Sequence, residues 1–462
     1  MQLPSILYSI SSALRSKNAK AIVVGGSVRD CFMGLKVKDY DIEVYGICDM
    51  DALEHILSLF GKVNIVGKSY GILKLSHNGK EYDISLPRTE TKIGNRHKDF
   101  HITCDSSMSY EDAFKRRDFT INAIGYDIEN KSFIDPFGGI DDIHKKNLRH
   151  INNDTFIEDP LRVYRAIQFI SRFGFTLHDS TFKLCQKMVD DNMLEHLPKE
   201  RVYAELKKML LKSKYPSTGF KLAKELGVLR YYPELKALVG LHQSPIYHPE
   251  GDVWTHTMMA LDEMAKLKTG NDKKDERLFW AVLCHDFGKA THTQITSKKN
   301  TAIGHEMAGI EPMHLFMDRL TNEHKMIMQI EPLVRYHLAP YQLYKQKATI
   351  KAIRRLSTKV NIEELVIVAK ADFLGRLTPE ARNGVFEAGE WLLAESKKIG
   401  VNNKPPVPLL QGRDIVKLGL QPSPVFKNIL QEAYEAQIEG AITTSDEALA
   451  WAKKRLNIEN KY

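Results

Sequence analysis

The chain has 462 residues, 43% of them hydrophobic and 27% charged, the make-up of a soluble globular protein of roughly two to four domains. Lys and Arg (66) outnumber Asp and Glu (58), and the net charge of +8 suits a polyanionic partner without establishing one. No apolar run approaches the ~20 residues of a membrane span, and the N-terminus lacks a signal-peptide pattern. The five cysteines, at 31, 48, 104, 185 and 284, include no Cys-x-x-Cys pair, which argues against a disulfide framework and a structural zinc site and makes a reducing cytosol the expected compartment.

Leu3, Ile6, Leu7, Ile10 and Leu14 recur at helical spacing and predict an amphipathic first helix. Ile22-Val23-Val24 reads as a buried strand, and Gly25-Gly26 permits a tight turn with close backbone approach to a ligand. A helix is predicted from Ser27, whose hydroxyl would cap it, leaving free N–H groups and Arg29 facing the turn, a place that suits a triphosphate. The next strand carries Asp39, Asp41 and Glu43 at alternate positions. Residues two apart share a strand face at about 7 Å, so Asp41 and Glu43 converge on one or two divalent cations, as two-metal phosphoryl transfer requires. Taken alone, Asp-x-Glu also fits a solvated acidic edge.

Apolar runs at 72–75 and 82–86 continue the sheet, with Asp83 as a third carboxylate or as a surface residue beside Lys80 and Glu81. Residues 87–109 read as a long, polar, basic loop. Arg116-Arg117-Asp118 offers charge-assisted donors to phosphate and an acceptor to a ribose hydroxyl, and equally fits a salt-bridged helix start. Beyond residue 150 strand signals fade and helical periodicity takes over, with prolines at 233, 245 and 249 marking a boundary and KPPVP at 404–408 reading as a stiff linker.

Asp159 and Arg162, three apart at a helix start, can share a face. Cytosine and adenine both show an amino donor beside a ring-nitrogen acceptor, an order that uracil and guanine reverse. A fixed carboxylate and guanidinium would therefore accept C and A and reject U and G. Glu158 would orient Arg162, and Arg165 would reach the phosphates or support the base site. In isolation the same residues make an Asp159-Pro160 N-cap and a Glu158–Arg162 helix pair.

GGSVRD, KDYDIE, RRDFTINA and EDPLRVYR, in that order, resemble the motifs of the tRNA nucleotidyltransferase and poly(A) polymerase superfamily, most nearly the bacterial CCA-adding enzymes. The resemblance implies an α+β fold, with a mixed-sheet nucleotidyltransferase head at 1–150 and an all-helical neck at 151–245 that selects the base and binds RNA. It implies Mg²⁺-dependent addition of CCA to tRNA from CTP and ATP, with poly(A) addition, partial addition (A or CC only) or a degenerate head as alternatives. Asp41, Glu43 and Asp83 would be catalytic, the first two as Mg²⁺ ligands; Gly25, Gly26, Arg29, Arg117, Asp118, Asp159, Arg162 and Arg165 would bind nucleotide, Arg117 and Asp118 at the sugar. The 87–109 loop, with Arg96-His97, would assist the final A addition.

In the histidine-rich part, His256, His285-Asp286, His305, His337 and Asp372 form a transition-metal set, and a His-Asp doublet on an apolar helix is costly to bury unless something binds it. The pattern resembles an HD-superfamily phosphohydrolase, here at 246–376, with His256, His285, Asp286 and Asp372 as ligands and His305 and His337 extending the site towards two metals. The resemblance implies hydrolysis of 2′,3′-cyclic phosphates and phosphomonoesters with a metal such as Ni²⁺ or Mn²⁺, and a helical tail at 377–462. Lys207, Lys208, Lys351, Arg354 and Arg355 are candidate RNA contacts or solvated charges.

Overall fold

The computed structural model describes residues 1–37, 39–65, 72–92, 100–105, 107–295 and 300–456. Two compact units form, 1–205 with 221–228 and 206–220 with 229–462. The first contains β1 (Lys20–Val24), β2 (Tyr40–Tyr45), β3 (Lys62–Ile65), β4 (Ile72–His77), β5 (Lys80–Ser85), β8 (Gly125–Asp127) and β9 (Ser132–Ile134) in one sheet of order β3-β4-β5-β2-β1-β8-β9. Neighbours are antiparallel except β2 and β5, which run parallel with Asp41 opposite Asp83 and Ile42 opposite Ile84. Ile42, Val44, Leu73, Leu75, Tyr82 and Ile84 are buried. The expected N-terminal helix, Ser5–Arg15, packs on β1, and Met50–Ser58 packs on β3 and β4.

Residues 87–109 are more than a loop: β6 (Arg88–Lys92) and β7 (Phe100–Cys104) pair antiparallel as a separate ribbon. Thr, Ile and Phe in these runs favour strands, but the polar and basic residues among them hide the signal in the sequence. Arg96 and His97 lie outside the described residues. Cys48, just past β2, and Cys104, ending β7, form a disulfide with Cα atoms 5.7 Å apart, contrary to the reading of five unpaired thiols. A pairing across 56 residues leaves no spacing signature; only the fold brings the two chain segments together.

From residue 153 the first unit is helical, except that Thr176–Leu177 pairs in parallel with Asn147–Leu148. The second unit is helical apart from a two-residue pairing of Gln294–Ile295 with Asn300–Thr301. Its centre is the helix Asp272–Cys284, buried at every position from 278 to 284 and packed by Val253–Lys266, His324–Arg335 and Ile362–Leu374. A helical stretch apolar on all sides belongs in an interior, and this one, the C-terminal half of the helix, ends at His285-Asp286. The 404–408 run is fastened along the tail instead of bridging freely: Tyr434 Oη donates to the Pro406 carbonyl and Gln437 Nε2 to that of Val407. Gly412–Lys417, Pro424–Glu439 and Ser445–Arg455 close a small core of their own around Ile415, Ile429 and Ala452. Among the described residues no helix is long and apolar enough to cross a membrane.

Candidate functional site

The turn after β1 places Gly25 at φ +71°, a conformation that L side chains rarely adopt. A Cβ at Gly25 would also lie 2.8 Å from Arg117 Nη1, so the glycine lets a guanidinium rest against the backbone. The helix begins at Gly26, and Ser27 is not its cap: Ser27 Oγ is buried and donates to the Val24 carbonyl at 3.2 Å. Arg29 does not stand free over the turn. It is buried beside Gly26, donates to Asn122 Oδ1 (2.6 Å) and Asp30 Oδ1 (2.6 and 2.9 Å), and faces the Phe173 and Phe169 rings at 4.8 and 5.4 Å.

Asp41 and Glu43 share a face of β2, and the parallel register sets Asp83 of β5 on the same face beside Asp41. Glu43 is 2% exposed and accepts from Arg117 Nη2 at 2.7 Å and from the Tyr45 hydroxyl at 3.0 Å. Burial raises the Asp41 pKa, Arg117 opposes that rise, and the carboxylates of Asp83, Asp39 and Glu43 add to it. Asp83 Oδ1 is buried without a hydrogen-bond partner, with Lys74 Nζ 3.6 Å away. An orphaned oxygen among mutually repelling carboxylates is a donor set that fits a hard divalent cation.

Residues 116–118 connect this face to the helix Leu161–Phe173. The buried Asp118 carboxylate accepts two bonds on each oxygen: Phe119 N–H and Asn122 Nδ2 (both 2.8 Å) on Oδ1, Arg165 Nε (2.7 Å) and Nη2 (2.6 Å) on Oδ2. Burial alone would raise its pKa; Arg165, the Asn122 bond and Arg162 outweigh that and hold it below the usual carboxylate value. Arg162 is oriented by backbone carbonyls and not by a bond to Glu158, donating to Thr155 O at 2.6 Å and Arg116 O at 2.5 Å. Asp159 receives Arg201 Nη2 at 2.9 Å and Nη1 at 3.3 Å, and accepts from Leu161 N–H at 3.3 Å, so it also serves the helix start. Arg201 was not singled out, since one cation early in a charged helix reads as solvated surface until the fold sets it across from Asp159. Of the candidate RNA contacts, Lys207 pairs with Glu276 (2.7 Å), and Lys351 (2.9 Å) and Arg355 (3.2 Å) with Glu439.

In the second unit, His256, His285 and Asp372 form one buried group and Asp286, His305 and His337 another, each with ligand atoms within 4.8 Å of one another. The groups adjoin through Asp286, whose Oδ2 is 3.2 Å from His285 Nε2 and whose Oδ1 is 3.2 Å from His305 Nε2. Neither His285 Nε2 nor Asp286 Oδ1 has a hydrogen-bond partner. The Nδ1 atoms of His285, His305 and His337 each bond the carbonyl three residues earlier, Val282, Ala302 and Val334, at 2.6–2.7 Å. That fixes the tautomer and aims each Nε2 at the centre, where a borderline transition metal suits the mixed imidazole and carboxylate donors. Burial, with His285 and His305 alongside, pushes the His337 pKa down to about 3, keeping this ring neutral.

Charge compensation comes from residues that sequence reasoning missed. Lys289 Nζ donates to Asp286 Oδ2 at 2.7 Å, and Arg376 Nη2 to both Asp372 oxygens at 2.8 and 2.7 Å. Against the burial that would raise them, His285 and Lys289 hold Asp286, and Arg376 and His256 hold Asp372, well below the usual carboxylate range. Glu250 is buried behind His256, accepting from its Nδ1 at 2.9 Å and from Leu377 N–H at 3.2 Å. It sits between a proline and a glycine with no periodicity to link it to the helix that follows.

Two expectations follow. Asp118→Asn should lower stability at neutral pH by about 3 kcal/mol, the cost of breaking a buried pair. A depressed folded-state pKa stabilises above the ordinary carboxylate value of about 3.9 and loses that contribution as pH falls through the folded value; thermal melts of parent and variant should therefore converge in acid. Glu250→Gln keeps the shape but removes the carboxylate that orients His256, so chelator-competition titration of the metal should show affinity reduced about 10–100-fold.

Three family descriptions match in order: "Poly A polymerase head domain" at 21–149, "Probable RNA and SrmB- binding site of polymerase A" at 174–238 and "HD domain" at 253–377. The multifunctional CCA protein of Pasteurella multocida (strain Pm70) is 33% identical over 368 residues, 77% of this chain and 84% of that one. That of Xylella fastidiosa (strain 9a5c) is 34% identical over 378 residues, 79% and 86% of the two chains. Among solved structures, the Bacillus stearothermophilus CCA-adding enzyme in complex with CTP has the same fold, at TM-score 0.67 and 22% identity with 100% of both chains covered. By the extent of its identity with these relatives, the chain belongs to the multifunctional CCA protein family.

Proposed function

We propose that the chain adds C, C and A to the 3′ end of tRNA from CTP and ATP without a template, and that its HD segment is a metal-dependent phosphohydrolase acting on 2′,3′-cyclic phosphates and phosphomonoesters. One observation carries the first activity: three carboxylates converge on one sheet face, and residues 116–118 tie that face to the Asp159–Arg162 helix. We assign 1–150 as the catalytic head, 151–245 as the neck, 246–376 as the HD domain and 377–462 as the tail.

Asp41 and Glu43, with Asp83, would hold Mg²⁺, which supplies activation of the RNA 3′-hydroxyl and neutralisation of the departing pyrophosphate. Arg117, resting on Gly25 and bonded to Glu43, stands beside the turn, where its guanidinium would meet the nucleotide and Glu43 would then be free to hold the metal. Gly25 and Gly26 admit the phosphates close to the backbone, with Arg29 beside them. Asp118 and Arg165 form one buried unit next to the sugar and the base. Asp159, steadied by Arg201, accepts the exocyclic amine of C or A, while Arg162, steadied by two carbonyls, donates to the ring nitrogen. Protein side chains thereby take the place of a template.

His256, His285, Asp286 and Asp372, extended by His305 and His337, would hold a transition metal such as Ni²⁺ or Mn²⁺, which lowers the pKa of an attacking water. We place the enzyme in the cytoplasm; the Cys48–Cys104 pair departs from what a reducing compartment favours.

The test of the head uses tRNA ending before CCA, with CTP and ATP supplied separately and together and products sized. Parent enzyme should add two residues with CTP alone and three with both. Asp41→Ala should abolish incorporation even at saturating Mg²⁺, and Asp159→Ala with Arg162→Ala should lose either activity or discrimination against UTP. An Asp41→Ala enzyme that still extends would move the catalytic site elsewhere. For the HD segment, purified protein with no bound transition metal and no phosphodiesterase activity in added Ni²⁺ or Mn²⁺ would remove the second activity.

A further inference from the structure

We propose that the helix Ala339–Lys345 and the facing side of Glu387–Lys398 form a second nucleotide subsite, which seats the penultimate nucleotide of a single-stranded RNA 3′ end whose last nucleotide lies over the histidine–aspartate cluster. The proposal rests on the phosphohydrolase reading and specifies its substrate class as a polynucleotide end, not a free mononucleotide.

Two neighbouring cavities carry it. The first, about 560 Å³, opens directly on Asp286, His305, His337 and Asp372, and its outer wall includes Tyr247 and Tyr341. That volume falls in the range of pockets that take one small organic ligand, roughly 300–1,000 Å³. Both tyrosines are exposed, at 65% and 56%, so their ring faces are open to a base. The second cavity, about 450 Å³, is lined by Tyr344, Lys345, Lys347, Ala348, Trp391 and Glu395. Lys345 lines both, so the two adjoin at one cation, and Tyr341, Tyr344 and Lys345 all come from a single short helix.

Chemistry selects the occupant. In the second cavity the Tyr344 and Trp391 rings pack with centroids 5.7 Å apart and planes tilted by 59°, and Tyr344, 38% exposed, offers an outer ring face on which a flat base can stack. Lys345 and Lys347 stand where a backbone phosphate would pass. The acid in this lining, Glu395, is paired with Lys398, and Glu387 accepts from the Tyr344 hydroxyl, which leaves the lysines to set the local charge. Aromatic faces interleaved with cations, with no array of base-edge donors, are how proteins hold single-stranded nucleic acid without reading its sequence. A mononucleotide would fill the first cavity and leave the second, with its cations, without a role.

The test compares cytidine 2′,3′-cyclic phosphate with a 5′-fluorescein trinucleotide ending in the same cyclic phosphate, both with metal-loaded full-length enzyme. Wild-type kcat/KM should be about tenfold or more higher for the trinucleotide, as one stacked base would supply. Trp391→Ala and Tyr344→Ala should erase the gap by raising KM for the trinucleotide alone, and Lys345→Ala with Lys347→Ala should flatten its salt dependence. Equal kcat/KM for the two substrates in wild type, or variants that slow both alike, would overturn the subsite. Should wild type hydrolyse neither substrate, the phosphohydrolase reading fails and the subsite is decided by fluorescence anisotropy with a trinucleotide 3′-phosphate: weaker binding by Trp391→Ala supports it, and unchanged binding overturns it.

Discussion

The parallel pairing of β2 with β5 is the constraint on which the head depends. It brings Asp83 beside Asp41 although 42 positions separate them, and it does so only in one register. That register is set by the opposite face, where Ile42, Val44, Tyr82 and Ile84 are all buried. A slip of one residue would carry these four side chains into solvent and the acids into the core, an exchange far costlier than any gain in pairing. The apolar side of the sheet thus positions the catalytic side: hydrophobic burial holds like charges together that would otherwise separate.

On and beyond the sheet, acids are met by cations: buried Glu43 by Arg117, buried Asp118 by Arg165, and half-buried Asp159 by Arg201. Unpaired, the buried Glu43 and Asp118 would each cost several kcal/mol in this environment. The pairs differ in how they can respond to nucleotide. Asp118 and Arg165 are locked by further bonds to Asn122 and Phe119, so they act as a fixed strut. Glu43 and Arg117 have more freedom, because Arg117 Nε makes no hydrogen bond and its guanidinium lies against a glycine. Under the proposed function, a cation and a triphosphate arriving together would offer each member of that pair a new partner of opposite sign, leaving no buried charge uncompensated.

What the sequence disclosed follows from where the information resides. Asp41, Glu43 and the His-Asp doublet were legible because short-range spacing already sets their geometry, two on a strand, adjacent in a doublet; Asp159 instead precedes the helix Leu161–Phe173, and only Arg162 lies on it. Asp83 needed a strand order that spacing does not encode. Ser27 and Arg29 were misread for one reason: the helix starts a residue early and its first turn faces inward, so the hydroxyl and the guanidinium are spent on Val24, Asn122, Asp30 and two phenylalanine rings. Arg201, Glu250, Lys289 and Arg376 act across tertiary contacts or as partners of partners, and nothing in composition or periodicity distinguishes them from surface charges. The β6–β7 ribbon and the Cys48–Cys104 pair were hidden likewise, since one lies in a run of polar and basic residues and the other follows no spacing rule.

The histidine-rich unit solves the same electrostatic problem with helix ends. His285 caps the helix Asp272–Cys284 and His337 follows His324–Arg335, and each imidazole Nδ1 meets a carbonyl of the last turn that has no partner within its helix. One bond therefore satisfies an orphaned backbone group and orients an imidazole, which explains how such polar residues can end helices whose last turns are buried and largely apolar. The two carboxylates need cations to stay ionised at this depth, and Lys289 and Arg376 provide them. Both also line the cavity over the cluster, so the charges that stabilise Asp286 and Asp372 are the ones that would face a phosphoester under the proposed function. Stability of the buried acids and attraction of an anionic substrate are then two effects of the same pair of side chains, and neither could be tuned by mutation without moving the other.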